Sequence, residues 1–243
     1  MKLLLRTTVI RSFTALSFLL TVPACKTDCG PQDGESATSK EVQLAEFQSV
    51  SLETDCNVTI SEQQGQSVTV NGYQTAINNL KLTVKNGILT IDSEKNCDHK
   101  GNPPMVTITI PVVRNLTVNG SGNIETKTPL AADEHDLNVN GSGTIKAAVN
   151  SKILRSDISG SGSLTITGNT AAATHEISGS GDLHAYDLLT AEADVEVSGS
   201  GNAEIAVNGR LDAEISGSGK VSYKGNPVLK QEVNGSGTLQ QVQ

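Results

Sequence analysis

The chain has 243 residues, a net charge of −8, no Trp and 2% aromatic residues. An acidic chain with no basic cluster repels phosphate backbones, which argues against nucleic acid as a partner. So few aromatic faces also disfavour a sugar site built on ring stacking.

The first segment reads as a targeting signal. Lys2, Arg6 and Arg11 are its only charges, an apolar run follows from about Ser12 to Val22, and Val22-Pro23-Ala24-Cys25 closes it. The run is shorter than the ~18 apolar residues that a membrane-spanning helix needs. A small residue directly before Cys resembles the bacterial lipobox, so residues 1–24 are expected to be cleaved and Cys25 to be acylated, an anchor rather than a span. Lys26 after that Cys favours the outer membrane, by resemblance to the sorting rule of enteric bacteria. Cleavage removes three of the 18 basic residues and none of the 26 acidic ones, leaving 15 against 26, a net −11.

Residues 25–40 are polar and rich in turn formers and read as a lipidated, flexible tether. Residues 41–112 read as an N-terminal β region or cap. Short alternating runs recur there, at Cys56-Asn57-Val58-Thr59-Ile60, Val68-Thr69-Val70 and Leu80-Lys81-Leu82-Thr83-Val84. Asn86-Gly87 marks a hairpin into Ile88-Leu89-Thr90-Ile91. After a polar loop comes the strand Val106-Thr107-Ile108-Thr109-Ile110. No window shows a helical period. In an oxidising envelope Cys56 and Cys97 are the expected disulfide pair, because Cys29 lies in the tether. Spacings of 27 and 41 residues between Cys29, Cys56 and Cys97 do not suit a zinc site.

Residues 113–243 repeat. Gly-Ser-Gly begins at Gly120, Gly141, Gly160, Gly179, Gly199, Gly217 and Gly235, at intervals of 18 to 21 residues. One unit of that size cannot bury its own apolar face, so the period predicts stacked coils. Two places before each motif stand Val118, Val139, Ile158, Ile177, Val197, Ile215 and Val233. Four places after its first Gly stand Ile124, Ile145, Leu164, Leu183, Ala203, Val221 and Leu239. Even offsets put both columns and both glycines on one parity of an extended chain, predicted to face inward. The expected fold is all-β: a parallel β-helix or solenoid of seven Gly-Ser-Gly repeats, right-handed by the crossover rule, preceded by the N-terminal β region.

Val-Asn-Gly-Ser-Gly-Asn-Ile (118–124) and Ile-Ser-Gly-Ser-Gly-Ser-Leu (158–164) resemble the repeats of the head GIN domain family, for which auto-transporter adhesin is a label rather than an established mechanism. Phe47, Val68-Thr69-Val70-Asn71-Gly72, Gly87-Ile88-Leu89-Thr90-Ile91 and Val106-Thr107-Ile108-Thr109-Ile110-Pro111 fit its upstream layout. The resemblance covers roughly residues 44–239. It implies a β-helical, non-enzymatic surface domain of the kind common in Bacteroidetes lipoproteins, and it carries no site residues over.

Catalytic chemistry is not legible. No helix follows the Gly-Ser-Gly turns to make a phosphate cradle. The period is twice that of the calcium-binding nonapeptide roll, and its Asp is missing. His99, His135, His175 and His184 sit at unrelated offsets and read as solvated or satisfied residues. The middle serines (Ser121, Ser142, Ser161, Ser180, Ser200, Ser218 and Ser236) form one outward polar ladder. A second precedes each motif (Asn119, Asn140, Ser159, Ser178, Ser198, Ser216 and Asn234). Both are expected to bond along the stack, with the serine ladder as a candidate binding face. Asp194, Glu196, Asp212 and Glu214 should form a two-by-two carboxylate array, eased by screening and by Arg155 and Lys230. A calcium ion with oxygen ligands is the rival reading, and no other cofactor is implied.

The chain is therefore expected to be an envelope-anchored adhesin or surface-binding lipoprotein, at the outer membrane or cell surface, contacting a surface polymer or protein. A docking subunit of an envelope complex is the alternative. A polysaccharide-active enzyme, using the array with Tyr186 or Tyr223, is the third reading. The exposed solenoid end could join copies of the chain.

Overall fold

The computed structural model describes residues 27–28, 30–32, 34–95, 97–99 and 101–243. The signal segment 1–24, Cys25 and Cys29 lie outside the described residues. In chain order the strands are β1 (Thr27–Asp28), β2 (Thr38–Glu41), β3 (Ser49–Leu52), β4 (Asn57–Glu62) and β5 (Ser67–Gly72). Helix α1 (Gln74–Asn79) follows, then β6 (Leu80–Lys85), β7 (Ile88–Ser93), β8 (Cys97–Asp98) and β9 (Met105–Ile110). The repeats supply β10 (Asn115–Val118), β11 (Asn123–Thr126), β12 (Glu134–Gly141), β13 (Thr144–Gly160), β14 (Ser163–Gly179) and β15 (Asp182–Gly199). The last coils add β16 (Asn202–Gly217), β17 (Lys220–Lys224), β18 (Val228–Gly235) and β19 (Thr238–Gln241).

The repeats stack as a parallel solenoid in the register that their sequence alignment gives. Val118 pairs with Val139, and Ile158, Ile177, Val197, Ile215 and Val233 follow in one column. Ile124, Ile145, Leu164, Leu183, Ala203, Val221 and Leu239 form the second. The first six members of each column are buried. Burial of a Val, Leu or Ile side chain contributes ~1.5–3 kcal/mol, so these ladders are the main cohesion of the stack.

The glycines divide the work differently from the expectation. In the first six motifs the second Gly is buried and faces inward, whereas the first is half-buried. At Gly179 φ is +127°, and an added Cβ would sit 2.6 Å from the carbonyl oxygen of Gly160. From Gly141 onward the first Gly is thus required by the backbone of the neighbouring coil and by a conformation that L-residues avoid, not by the interior.

The N-terminal region does more than precede the solenoid. β3 pairs in parallel with β10, and β4 with β11, so residues 49–62 make a further coil beneath the first marked repeat. Leu52 continues the Val118 column and Val58 the Ile124 column. The turn between them, Glu53-Thr54-Asp55-Cys56-Asn57, has the length of Asn119-Gly120-Ser121-Gly122-Asn123, with Cys56 where the second Gly belongs. A side chain fits there because the next layer, β7 and β9, is not joined by such a turn but by residues 94–104.

Cys56 is consequently a buried free thiol, and the expected Cys56–Cys97 disulfide is not formed. Cys97 lies on β8, which pairs with β1 in a separate two-stranded sheet. Desolvation, reinforced by the neighbouring Asp55 charge, pushes the Cys56 thiol up to about 12.

Antiparallel pairing of β2 with β5, β5 with β9 and β6 with β7 closes this end of the stack. Helix α1 adds Ala76 and Ile77 to the buried set. It has only six residues, too few to leave a helical period in the sequence. The expected tether also departs from the reading. β1 is paired with β8, β2 with β5, and Glu35 Oε1 accepts a hydrogen bond from the Thr75 amide at 3.2 Å, so much of the stretch is docked rather than free.

Candidate binding face

The strands that run into the Gly-Ser-Gly turns carry two outward columns of charge. Asp136, Arg155, Thr174, Asp194, Asp212 and Lys230 stand in register in one. Asp157, Glu176, Glu196, Glu214 and Glu232 form the other. Strand pairing sets Asp194 beside Asp212 and Glu196 beside Glu214, the two-by-two array that the alignment predicts.

Like charges directly opposite destabilise a sheet, and the relief comes from a residue the alignment does not single out. Arg210 reaches Asp194 at 2.9 Å, Glu192 at 3.6 Å and Asp212 at 3.8 Å. Lys230 Nζ adds a contact of 2.7 Å to Asp212, which holds that ammonium above its usual range. One end of the face repeats the pattern, where Arg155 bridges Glu134 and Asp136 at 3.2 and 3.3 Å. The hydrogen bonds that Arg155 donates to those two carboxylates hold its guanidinium above its usual range. Among the described residues no group of three or more candidate ligands is placed to hold a metal ion. Arg210 supplies positive charge that balances the array.

The part of the face around Arg210 lines a shallow depression of about 390 Å³, bounded by Thr174, Glu176, Glu196, Arg210, Glu214 and Lys230. Beneath it His175 is buried, its Nδ1 2.7 Å from Ser156 Oγ. Desolvation lowers that imidazole to about 4, so it is neutral and structural. His135 is also buried and shifted down, chiefly by desolvation, with Nε2 accepting from the Ala132 amide at 3.2 Å. His99 is buried 3.3 Å from Asp55. Only His184 fits a solvated reading, exposed and 2.7 Å from Glu204.

The two small polar ladders behave unlike each other. All seven middle serines are exposed at the turn edge. Their amides extend the backbone ladder, as where Ser180 N donates to Gly160 O at 2.8 Å. Their hydroxyls meet along the stack at Ser218 and Ser236, 3.0 Å apart. The preceding column is bonded more widely: Asn140 donates to Asn119 at 2.8 Å, Ser159 to Asp157 at 2.9 Å and Asn234 to Glu232 at 3.1 Å. Tyr186 and Tyr223 lie across the turn from the acidic columns, with Lys224 Nζ 4.7 Å from the Tyr186 ring centre. They do not line the depression.

Residues 46–227 match a family model described as "Putative auto-transporter adhesin, head GIN domain". No curated protein matches the chain in sequence. Among solved structures, a "putative adhesin" from Bacteroides fragilis superposes with a TM-score of 0.82 at 19% identity, covering 89% of this chain and 100% of that one. A "putative lipid binding protein" from Parabacteroides distasonis gives 0.74 at 20% identity, over 90% and 100%. A "putative adhesin" from the same species gives 0.72 at 25% identity, again over 90% and 100%.

Proposed function

Since the chain belongs to the head GIN domain family, we propose that it is a non-enzymatic, lipid-anchored envelope adhesin that binds a surface polymer or protein through the charged face of its solenoid. The observation that carries this reading is the repetition of that face. Acidic side chains recur in each coil from β12 to β18, ~4.8 Å apart, and Arg210 and Lys230 lie among them. A rigid row of evenly spaced charges suits a ligand that is itself repetitive, because each coil offers one more copy of the same contact. Acylation of Cys25 would hold the domain at the membrane by its capped end, since β1 begins two residues further on.

The test is a glycan and matrix-protein array probed with the chain from residue 25 onward, carrying Cys25→Ser to keep it free of lipid. Saturable binding that weakens with Arg210→Ala and is indifferent to Ser180→Ala or Ser200→Ala supports the charged face. The opposite pattern moves the site to the serine edge. If nothing on the array is retained, the adhesive reading fails.

A further inference from the structure

The two ends of the solenoid are finished differently. Strands β5, β6 and helix α1 cover the N-terminal end, with Ile77 buried and Leu80, Leu82 and Val84 packed on the core. At the other end β18 pairs on one side only, with β16, and β19 likewise with β17. β18 carries the inward columns onward: Leu229 follows Leu211, Gln231 follows Ala213 and Val233 follows Ile215. Those three predecessors are buried, whereas Leu229 and Val233 are each 39% exposed and Val228 is 77% exposed. An unpaired edge beside an open apolar core is a template for another strand.

We propose that this edge is a dimer interface, closed by the same edge of a second copy, with β18 pairing antiparallel to itself across a two-fold axis at Gln231. The sequence of the strand carries the argument. In a two-fold pairing that keeps inward residues inward, odd positions must face odd positions, so the axis passes through a residue. Only an axis at Gln231 pairs the whole run Leu229-Lys230-Gln231-Glu232-Val233 with itself. It sets Lys230 opposite the partner's Glu232, and Leu229 opposite the partner's Val233, each twice. Moving the axis by one residue sets Lys230 against Lys230 or Glu232 against Glu232. Opposite charges facing across antiparallel strands are favourable and like charges are not, and a two-fold interface is self-complementary by necessity. The pairing would give the open strand its missing hydrogen bonds and cover both apolar residues.

The axis also sets the geometry of the pair, because the two capped ends point away from each other. With the anchoring proposed above, a premise this consequence rests on, the dimer joins two membranes that face one another.

Sedimentation and light scattering on the lipid-free chain from residue 25 (Cys25→Ser) read the interface without that premise. The chain should be dimeric. Lys230→Glu and Glu232→Lys should each weaken the dimer about tenfold or more, as like-charge juxtapositions do. The double variant restores both pairs and should recover the dimer. Lys230 also pairs with Asp212 inside the chain, so Lys230→Glu is followed by a thermal melt. Glu232→Lys leaves that contact in place and keeps the test valid if the first variant is damaged. A monomer at all concentrations overturns the proposal. So does a dimer indifferent to both single reversals, or a double variant that folds normally yet stays as weak as the singles.

Discussion

The place where a Cβ on Gly201 would sit lies 2.5 Å from Cγ2 of Ile177, one coil earlier in the stack. The second glycine of each motif is therefore the hole into which the aliphatic residue of the preceding coil fits.

Filling that hole should be costly. Gly201→Ala forces the Ile177 methyl aside in a packed interior, for about 1–3 kcal/mol. Gly179→Val meets the Gly160 carbonyl and a positive φ together, with a cost at least as large. Ser180→Ala, exposed and next to Gly179, should cost less than about 0.5 kcal/mol. Urea melts of the three variants check the order, and a serine variant as damaged as either glycine variant would contradict this account of the turn.

Cys56 should be silent in the folded chain. Its thiol is buried and held protonated by desolvation, and the thiolate is the reactive form. Alkylation followed by peptide mass analysis should find Cys56 unmodified under native conditions and modified after unfolding, with no peptide linking it to Cys97.

Acid should weaken the fold through His175. Its folded value of about 4 lies below the ~6.5 of an unfolded chain, so between these limits the unfolded state binds more protons. The contribution is whole above pH ~6.5 and is lost as pH falls toward 4, at most about 3 kcal/mol. His135 is shifted in the same direction. His175→Gln retains a polar group for Ser156 without the titration, so its stability should fall less between pH 7 and pH 4.5. Equal acid sensitivity in both chains counts against a neutral buried imidazole.

The array should respond to ionic strength rather than to calcium. Arg210 is about half exposed, so its contacts contribute no more than about 1 kcal/mol and weaken in salt. Arg210→Ala should lower the melting temperature by a few degrees at low salt and by less at high salt. Millimolar calcium should stabilise the unsubstituted chain no more than sodium at equal ionic strength. A calcium-specific rise would place an ion among Asp194, Glu196, Asp212 and Glu214 after all.

The anchor has a direct test. Cells given a palmitate analogue should label the chain and fail to label Cys25→Ser, and equal labelling of both would remove the lipid from the proposal. Protease treatment of intact cells should then cut an outward-facing domain and spare a periplasmic docking subunit.

The sequence by itself determined the repeat, the two aliphatic columns and the register that sets Asp194 beside Asp212. Each depends on a fixed distance from a Gly-Ser-Gly motif, and stacking copies in register turns equal offsets into neighbours. Tertiary structure decided what has no such offset. Residues 49–62 join the stack although Thr54 and Cys56 replace the glycines, because the absence of a matching turn in the next layer leaves room for side chains. The disulfide expected at Cys56 gave way for the same reason: the thiol fills that room, and Cys97 belongs to another sheet. Arg210 entered the acidic face from a column otherwise held by Glu134, Ile153, Ala172, Glu192 and Val228. That column has no shared chemistry to read, and the register slips between Thr190 and Glu192 just before it. Contacts made by long side chains across columns depend on reach and on local bulges, which spacing along the chain does not encode.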